Sequence, residues 1–547
     1  MSFLEKIFAR LSESRQVPVL GEVRTDSIVT VTGGELLAQI GAARQFLRGL
    51  GLRPGDRCGL LAPNSIRRVA TDMAMLSEGL VIVPLYYRQA AGELATMVRD
   101  SGAAHVCCGD EELRNSLRQA LPELPPSSLL EDAFRQPARS DELLQPLQDS
   151  KAVTIVYTSG TSGEPKGVML TAGNVAHVLD CTSARLDLLM GPRDEMERIF
   201  HYLPFSFAAS WILLLSALTR RSLLLLSTDL NRLLDEIRAA QPEYFLNVPA
   251  LLERMRRAIE EQIARRGGII RKLFERAERI SLPGEVERSS IADRVSVIFC
   301  RRLVFPKIRR ALGPRLKALI CGSAPLALET QRFFQMLGIP VLQSYGLTET
   351  TGPCTMDDPR AVEPGRVGPA IPGVEMKLGA DDEILVRGPN VFPGYWNRPE
   401  ATSQVLRDGW FHTGDQGEVD ARGNWRIIGR LKNLIILNSG HNIAPESIEE
   451  SLRRKLPTAE HVMVMGNNRS YLAALIIGVL TEASALKAID ALNRNLPHYR
   501  QVRAFRILQV PFTMESGLLT PNGKLRRDVI GDRFRLEIEE LYRKRAL

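Results

Sequence analysis

Cysteine is scarce in this chain of 547 residues, and the cysteines that occur are scattered. They occupy positions 58, 107, 108, 181, 300, 321 and 354. Seven is an odd number, and no two of them form a CxxC motif, which argues against a disulfide framework and against a zinc site. Such cysteine usage is typical of a reducing compartment.

The chain also lacks a recognisable leader and a membrane-spanning run. Residues 1–16 show a short amphipathic helix pattern without the apolar centre of a signal peptide. The most apolar region, residues 211–226, is interrupted by Arg220 and Arg221, and each side of the break is too short to cross a bilayer. We therefore expect a cytoplasmic protein.

Neither sign of charge dominates the sequence. The net charge of +8 is a mild excess for this length. It permits anionic ligands and peripheral contact with an acidic membrane surface, and it gives no support for nucleic-acid binding. A chain of this length exceeds one ordinary hydrophobic core, so we expect two or three domains. There are no internal repeats.

Helix-like and strand-like segments alternate over much of the chain, which predicts parallel sheet covered by helices. Residues 121–150 carry five prolines and many polar residues, and they predict a surface linker. The predicted helices span 34–50, 66–78, 92–101, 446–456 and 483–495. The predicted strands span 58–62, 81–83, 104–108, 201–205, 223–226, 244–248, 461–465 and 473–480.

A basic segment interrupts this alternation at residues 253–280, with nine arginines or lysines on a helical pattern. One interpretation is a solvated pair of helices. The other is a basic amphipathic surface that docks on anionic lipid.

Glycine and hydroxyl residues concentrate in residues 157–167, which read YTSGTSGEPKG and follow the apolar run 153–157. Glycine allows backbone N–H groups to converge, and hydroxyls and a lysine add donors and charge, so the stretch fits a phosphate chain. It is not a Walker A loop, because Lys166 precedes a glycine. A flexible surface loop is the alternative. The candidate contacts are Thr158, Ser159, Gly160, Thr161, Ser162, Gly163 and Lys166.

Two compact motifs follow in the middle of the chain. Residues 322–325 read GSAP after the apolar run 319–321, and they leave room for a flat ligand or form a helix entry. Residues 343–350 read QSYGLTET, in which the tyrosine can stack on a base, the threonine can bond a phosphate and the glutamate can hold Mg²⁺. An ordinary strand-to-helix turn is the alternative for the second motif. The candidate residues are Gly322, Ser323, Ala324, Pro325, Tyr345, Gly346, Thr348 and Glu349.

Three further motifs lie towards the C-terminus. Residues 408–415 read DGWFHTGD, and the final carboxylate, Asp415, can accept from both hydroxyls of a ribose. Residues 429–432 read GRLK, which alone is only a charged turn. Residues 520–527 read TPNGKLRR, and a lysine after glycine is ordinarily just solvated.

In this order the motifs closely resemble those of the adenylate-forming superfamily, which includes acyl-CoA synthetases, peptide-synthetase adenylation domains and luciferases. The resemblance covers residues 30–530. It implies an α/β fold, with a large N-terminal domain of parallel and mixed sheets with helical layers (1–430) and a small mobile C-terminal α+β domain (431–547). It also implies that Arg430 contacts the ribose, Lys432 is the hinge, and Lys524 enters the site during adenylation.

Several features resemble long-chain acyl-CoA synthetases, namely GSAPL at 322–326, RKLF at 271–274 and SGHNIAP at 439–445. One departure concerns the family's LPxxH pattern, where this chain has Phe207 in place of the histidine. Trp211 resembles an aromatic gate at the mouth of an acyl tunnel. Phe207, Trp211 and Val248 are the candidate acyl-pocket residues, and plain core packing is the alternative for the two aromatic residues.

The resemblance implies two half-reactions, in which a carboxylic acid and ATP form acyl-AMP and pyrophosphate, and CoA then forms the thioester. Lys524, Lys166, Thr348 and Glu349 are the candidate catalytic residues, with Mg²⁺ on Thr158 and Glu349. One alternative is an acyl-AMP ligase that transfers the acyl group to the phosphopantetheine of an acyl carrier protein. The other is a non-catalytic acyl or nucleotide binder. The sequence leaves open the acceptor, the acyl chain length and the oligomeric state.

Overall fold

The computed structural model describes residues 1–135, 145–159, 165–280, 290–439, 441–514, 516–520 and 523–543. Its strands are β1 Pro18–Val23, β2 Ile28–Thr32, β3 Arg57–Leu61, β4 Val81–Leu85, β5 His105–Cys108, β6 Ser127–Leu129, β7 Ala152–Ser159, β8 Pro165–Thr171, β9 Glu197–His201, β10 Ser222–Ser227, β11 Tyr244–Asn247, β12 Leu319–Cys321, β13 Val341–Leu347, β14 Gly352–Met356, β15 Glu375–Leu378, β16 Glu383–Arg387, β17 Leu406–Arg407, β18 Trp410–Val419, β19 Trp425–Arg430, β20 Ile435–Ile436, β21 Asn442–Ile443, β22 Ala459–Met465, β23 Leu472–Gly478 and β24 Val502–Leu508.

Its helices are α1 Phe3–Glu13, α2 Gly33–Gly49, α3 Ile66–Ser77, α4 Ala91–Ser101, α5 Glu111–Ala120, α6 Ala172–Met190, α7 Ala208–Thr219, α8 Leu233–Ala240, α9 Pro249–Arg265, α10 Gly268–Ile280, α11 Ile291–Phe299, α12 Phe305–Leu312, α13 Leu328–Met336, α14 Pro399–Val405, α15 Pro445–Lys455, α16 Glu482–Asn493, α17 Arg527–Arg533 and α18 Arg535–Arg543. Short 3-10 turns connect several of these elements.

Two mostly parallel sheets and one antiparallel sheet form the large N-terminal part. The first has the strand order β6-β5-β3-β4-β7-β8, and the second has the order β14-β13-β12-β11-β9-β10-β1-β2. Only the terminal pairs β7–β8, β13–β14 and β1–β2 are antiparallel within these two sheets. The third sheet joins β15, β16, β17, β18 and β19. The predicted fold class, α/β with helical layers, is confirmed.

One continuous hydrophobic core connects the two parallel sheets. It contains residues of β3, β7, β9 and β10 together with helices α1, α2, α3, α6 and α7. The N-terminal helix contributes Phe3, Leu4, Ile7 and Leu11, which are spaced so that they share one face. The amphipathic pattern of residues 1–16 therefore packs α1 onto this core.

A small C-terminal part is built on its own three-stranded sheet, in the order β22-β23-β24. Alternate residues of β23 face opposite sides, as strand geometry requires. One side carries Leu472, Ala474 and Ile476 against α15 and α16, and the other carries Ala473, Leu475 and Ile477 against α17 and α18. The division into a large and a small domain agrees with the prediction.

The structure differs from the sequence predictions in several segments. Residues 121–150 contain strand β6, which pairs in parallel with β5 and extends the first sheet, so the linker prediction is wrong there. Three residues are too few to show a strand period in the sequence. The strand predicted at 201–205 instead ends at His201. Strand β24 and helices α17 and α18 were not predicted.

All seven cysteines are buried and free. Within the described residues, no helix has both the length and the apolarity needed to cross a membrane.

Candidate active site

The last parallel pairs of three neighbouring strands lie at one edge of the eight-stranded sheet, where β11 and β12 end and β13 continues to Leu347. Asn247 of β11 pairs with Cys321 of β12, which pairs with Gln343 of β13. The residues that follow these paired positions therefore lie side by side. In doubly wound sheets this edge is where ligands bind. It brings Val248, the GSAP turn and the YGLTE segment together.

The GSAP turn is tight on one side and open on the other. A Cβ on Gly322 would lie 3.0 Å from the Ser344 hydroxyl oxygen, so the turn packs closely against the end of β13. Ser323 has a left-handed backbone with φ of 72°. Ser323, Ala324 and Pro325 remain exposed, so they present backbone and small side chains to a ligand.

Gly346 sets the path of the YGLTE segment. A Cβ there would lie 1.8 Å from the carbonyl oxygen of Gly352, which is impossible for any other residue without moving the backbone. The close approach turns the chain into a 3-10 turn over Thr348–Thr350. Tyr345 is thereby directed to Asp415, and its hydroxyl donates to Asp415 Oδ2 at 2.7 Å.

Asp415 and Arg430 form an ion pair across neighbouring antiparallel strands. They are register partners in β18 and β19, and Arg430 Nε lies 2.7 Å from Asp415 Oδ1. Asp415 is 3% exposed. Burial raises the pKa of the Asp415 carboxyl, and Arg430 and Tyr345 act against that rise. Each carboxylate oxygen has a donor and retains lone pairs for a ribose hydroxyl.

Glu349 and Lys166 both contact Tyr395, a residue that the sequence analysis did not select. The Tyr395 hydroxyl donates to Glu349 Oε1 at 2.8 Å, and the Lys166 ammonium lies 5.3 Å from the centre of the Tyr395 ring. The contact connects the candidate metal ligand to the predicted phosphate loop. The sequence signal that could have indicated it is an aromatic residue after Pro393-Gly394.

The predicted phosphate loop connects β7 and β8, which form an antiparallel pair. Thr158 pairs with Lys166, and Ser159 pairs with Pro165. Gly167 packs closely, because a Cβ there would lie 2.7 Å from Ile155 Cγ2. The remaining candidates lie outside the described residues, namely Gly160, Thr161, Ser162 and Gly163.

Lys524 of the small domain lies close enough to Asp415, Arg430 and Glu349 of the large domain to interact with their charges. Its loop is closed by a hydrogen bond from Lys524 N to Thr520 Oγ1 at 3.0 Å. The surrounding protein atoms and Arg430 lower the pKa of the Lys524 ammonium, whereas Asp415 and Glu349 favour its charged form. The side chain retains exposed surface, so it lies in a solvent-accessible crevice between the domains and not in a sealed interior.

Lys432 follows Arg430 in a 3-10 turn over Leu431–Asn433, between β19 and the small domain. Burial and the neighbouring Arg430 lower the pKa of Lys432. Gly429 packs against the small domain, because a Cβ on it would lie 2.9 Å from Ala444 Cβ. The predicted hinge residue thus sits where the two domains connect.

Ion pairs on the surface hold the two domains in this arrangement. Arg526 Nη2 lies 2.6 Å from Glu93 Oε1 of α4, two residues from Lys524. Two further arginines of α15 bridge to the large domain. Arg453 pairs with Glu253 at 2.8 Å, and Arg454 pairs with Glu329.

The candidate acyl-pocket residues have different surroundings. Phe207 precedes α7 and is half-buried, with its ring 5.6 Å from that of Tyr86. Val248 caps the start of α9, and its N–H donates to the Tyr202 hydroxyl at 3.3 Å. Trp211 is 4% exposed within the main core. The position of Trp211 corresponds to the core-packing alternative and not to a surface opening.

A hydrogen bond to a buried carboxylate fixes the Trp211 indole. Its Nε1 donates to Asp72 Oδ1 of α3 at 3.0 Å. Burial raises the pKa of Asp72 to about 6, although Arg68 and the indole oppose this rise. The Arg68 guanidinium stacks 5.5 Å from the ring of Phe205, so the indole belongs to a buried polar cluster.

A cavity of about 100 Å³ lies elsewhere, between α8, α9 and α12. Apolar side chains such as Ile237, Ile259 and Ile308 line it, and none of the candidate site residues do. The convergence of motifs, and not this cavity, therefore identifies the candidate active site.

Two family models match the chain. The one described as AMP-binding enzyme matches residues 12–396, and the one described as AMP-binding enzyme C-terminal domain matches residues 432–546. The chain belongs to the AMP-binding enzyme family. The match covers far more than half of the sequence and includes both the large and the small domain.

Relatives of this AMP-binding enzyme include long-chain ligases. The long-chain-fatty-acid–CoA ligase FadD15 of Mycobacterium bovis is 30% identical, covering 94% of this chain and 92% of that protein. The long chain acyl-CoA synthetase 3 of Arabidopsis thaliana is 27% identical, covering 91% of this chain and 84% of that protein.

Solved structures share the fold. The o-succinylbenzoate CoA synthetase of Bacillus subtilis, in complex with its acyl-adenylate intermediate, has a TM-score of 0.75 at 23% identity and covers 96% of this chain and 97% of its own. A Mycobacterium tuberculosis fatty acyl CoA synthetase has a TM-score of 0.64 at 23% identity, covering 97% of this chain and 98% of its own.

The donor set around Glu349 fits a magnesium ion that is held mainly by a nucleotide. No group of three or more His, Cys, Asp or Glu residues in the described parts of the chain could hold a metal ion by itself. Mg²⁺ keeps several waters and is often bound through one or two carboxylates together with substrate phosphates. Glu349, oriented by the Tyr395 hydroxyl, matches that demand as the single carboxylate, and the Thr158 hydroxyl is the predicted second ligand.

We expect Tyr395→Phe to raise the Mg²⁺ concentration that the AMP-binding enzyme needs for half-maximal adenylation. A hydrogen bond to a charged group contributes about 1.5 to 3 kcal/mol, so the rate at low Mg²⁺ should fall roughly tenfold or more. The ring that faces Lys166 is kept. Initial rates of ATP–pyrophosphate exchange across a Mg²⁺ titration measure the change.

The matched control is Tyr542→Phe, which removes a hydroxyl that donates to Met465 O at 3.0 Å inside the small domain. This variant should keep the native Mg²⁺ dependence. An unchanged Mg²⁺ dependence for Tyr395→Phe would show that the hydroxyl does not position Glu349.

Proposed function

We propose that the protein is an AMP-forming acyl-CoA synthetase that activates medium- to long-chain fatty acids. The observation that carries this proposal is the approach of Lys524 from the small domain to Asp415, Arg430 and Glu349 of the large domain. Such an arrangement neutralises charge on a bound nucleotide. The similarity to long-chain ligases over nearly the whole chain supports the choice of substrate.

In the first half-reaction the fatty-acid carboxylate attacks the α-phosphorus of ATP, and pyrophosphate leaves. No protein nucleophile is needed, so catalysis consists of positioning and charge stabilisation. We assign Lys524 and Lys166 to the phosphate charge that develops and Thr348 to the α-phosphate. Asp415 and Arg430 hold the ribose. Mg²⁺, held by Glu349 and Thr158 together with the phosphates, supplies further charge neutralisation.

The nucleotide base lies against Tyr345 in this proposal, between the GSAP turn and the YGLTE segment. The exposed Ser323, Ala324 and Pro325 offer a surface for the base, and the tight Gly346 turn holds the tyrosine in place. The backbone of the hairpin β7–β8 receives the phosphates. Phe207 and Val248 border the carboxylate end of the acyl group.

In the second half-reaction the thiol of CoA attacks the acyl carbonyl, and AMP leaves. We place the domain boundary at residues 430 and 431, with Lys432 as the hinge. Turning the small domain withdraws Lys524 and breaks the surface ion pairs of Arg526, Arg453 and Arg454. The side chains of these pairs are 14–40% exposed, and ion pairs that water reaches contribute only about 0 to 1 kcal/mol each, so the turn meets little resistance.

A carrier protein is the alternative acceptor. The phosphopantetheine arm of an acyl carrier protein ends in the same thiol as CoA, so the adenylation site serves either acceptor. An assay of thioester formation with CoA or with a phosphopantetheinylated carrier as the acceptor distinguishes them. Rapid thioester formation with the carrier alone would assign the protein to the acyl-AMP ligases.

A panel of carboxylates in the ATP–pyrophosphate exchange assay tests the substrate class. Each buried methylene contributes about 0.8 kcal/mol, near fourfold in affinity, until the pocket ends. We expect medium- and long-chain fatty acids to exceed acetate by orders of magnitude in kcat/KM. If acetate or an amino acid is the best substrate, the fatty-acyl assignment is wrong.

Lys524→Ala should separate the two half-reactions. Removing a well-placed donor from a developing charge costs about 3 to 4 kcal/mol, or roughly a hundred- to thousand-fold in rate. Formation of acyl-adenylate should fall by that factor. Thioester formation from supplied acyl-adenylate and CoA should stay near the native rate.

Rapid-quench measurements of each half-reaction provide this comparison. Lys487→Ala is the control, because it removes an exposed lysine from α16 of the same domain. Equal losses in both half-reactions for Lys524→Ala would assign Lys524 a structural role.

Glu93→Gln should weaken the contact between the small and the large domain, and it leaves the candidate active-site residues unchanged. It removes the partner of Arg526, and the loss of one such pair lowers adenylation by up to about fivefold. The thioester step should be unchanged or faster. Single-turnover rates at low and high salt measure both steps, and salt should reduce the difference from the native protein.

Glu111→Gln is the control for this prediction, because it breaks an exposed pair with Arg114 within the large domain. An effect of Glu111→Gln equal to that of Glu93→Gln would mean that the change reflects net charge and not domain closure.

A further inference from the structure

A continuous helical segment at residues 291–312 exposes an apolar face that no other described element covers. Helix α11 passes through a π-helical turn, Cys300–Val304, into α12. Its inner face is buried through Ser296, Cys300 and Val304. π-helical turns are rare in proteins, and those that occur often lie at functional sites.

The outer face carries large apolar side chains in place of polar ones. Val295, Ile298, Phe299 and Leu303 are 58%, 54%, 38% and 53% exposed. Val295, Phe299 and Leu303 follow one another at spacings of four residues, and Ile298 is three residues from Val295, so the four share one side of the helix. A helix on the surface of a soluble protein ordinarily presents polar side chains there, and a contiguous exposed apolar patch marks an interaction site.

Most of the charged side chains in this helical segment are basic, and its one acidic residue, Asp293, precedes the four apolar residues. Residues 294–312 contain six arginines or lysines and no acidic residue. Arg301 and Arg302 are exposed on the π-helical turn, and neither has a carboxylate partner in the described parts of the chain. The neighbouring α9 and α10 are different, because Arg256 pairs with Glu260 and Arg271 pairs with Glu275.

We propose that this docking face, the outer side of residues 294–303, binds the surface of an anionic lipid bilayer. Apolar side chains beside the exposed Arg301 and Arg302 match the boundary between acyl chains and phosphate headgroups. The docking face lies C-terminal to residues 253–280, where the sequence suggested a basic amphipathic surface. It goes beyond the proposed catalysis and does not depend on it.

The charge of the docking face favours a lipid bilayer over two other binding partners. A second copy of this chain docking through the same face would bring like charges together in a two-fold interface, which is unfavourable. Nucleic acid would match the arginines but would leave Ile298, Phe299 and Leu303 against a polar backbone. A bilayer accommodates both kinds of side chain.

The test is sedimentation of the full-length protein with vesicles of equal parts phosphatidylglycerol and phosphatidylcholine, or of phosphatidylcholine alone. The native protein should bind the anionic vesicles, and high salt should weaken that binding. The double variant Ile298→Gln/Phe299→Gln should bind roughly tenfold or more weakly, because it removes the apolar contribution. Arg301→Gln/Arg302→Gln should lower the affinity for anionic vesicles about fivefold for each arginine and should leave binding to phosphatidylcholine vesicles unchanged.

Matched controls change the same chemistry elsewhere. Val479 and Leu536 are 87% and 78% exposed outside the docking face, so Val479→Gln/Leu536→Gln should bind like the native protein. Arg53→Gln/Arg494→Gln is the corresponding charge control. All four double variants should keep the native adenylation rate on a soluble medium-chain acid without vesicles, which shows that they fold.

Three outcomes would overturn the proposal. The first is that the apolar variant of the docking face binds anionic vesicles as tightly as the native protein. The second is that native binding to anionic and zwitterionic vesicles is equal. The third is that the native protein ignores vesicles and self-associates in analytical ultracentrifugation, while Ile298→Gln/Phe299→Gln is monomeric, which would make the face a homotypic interface.

Discussion

The buried carboxylate of Asp415 is the group on which the arrangement of the site depends. A buried charge is costly unless it is paired and hydrogen-bonded. Asp415 meets both conditions through Arg430 on the next strand and Tyr345 at the end of a strand of another sheet. The same contacts join the five-stranded sheet to the eight-stranded sheet. Because Arg430 is the last residue of its strand, they also fix the starting point of the connection to the small domain.

The sequence predicted those parts of the site that follow a strand. The GSAP turn and the YGLTE segment each come after a short apolar run, and parallel neighbours bring their ends to one edge. Gly346 marks a close approach that is local in sequence, since its obstacle is Gly352. Such features depend on strand order and on nearby residues, so the amino-acid sequence alone can indicate them.

The contacts that the sequence missed join residues far apart in the chain. Tyr395 meets Glu349 and Lys166 from a turn that carries no motif of its own. Trp211 is held by Asp72, 139 residues earlier, so its place in the interior depends on a helix that the motif does not mention. The docking face shows the same limit, because its arginines are visible in the sequence, whereas the exposure of Ile298 and Phe299 depends on how the helix packs.

The balance of charges around Lys524 connects the chemistry of the proposed reaction to the motion of the small domain. Arg430 and Lys432 repel its ammonium, while Asp415 and Glu349 attract it. In the proposed mechanism, the triphosphate of bound ATP adds to this attraction and favours the arrangement in which Lys524 lies at the site. When pyrophosphate leaves, much of that negative charge leaves with it, and the two neighbouring cations remain. In the proposed mechanism, departure of the product therefore shifts the population towards an arrangement in which Lys524 is withdrawn.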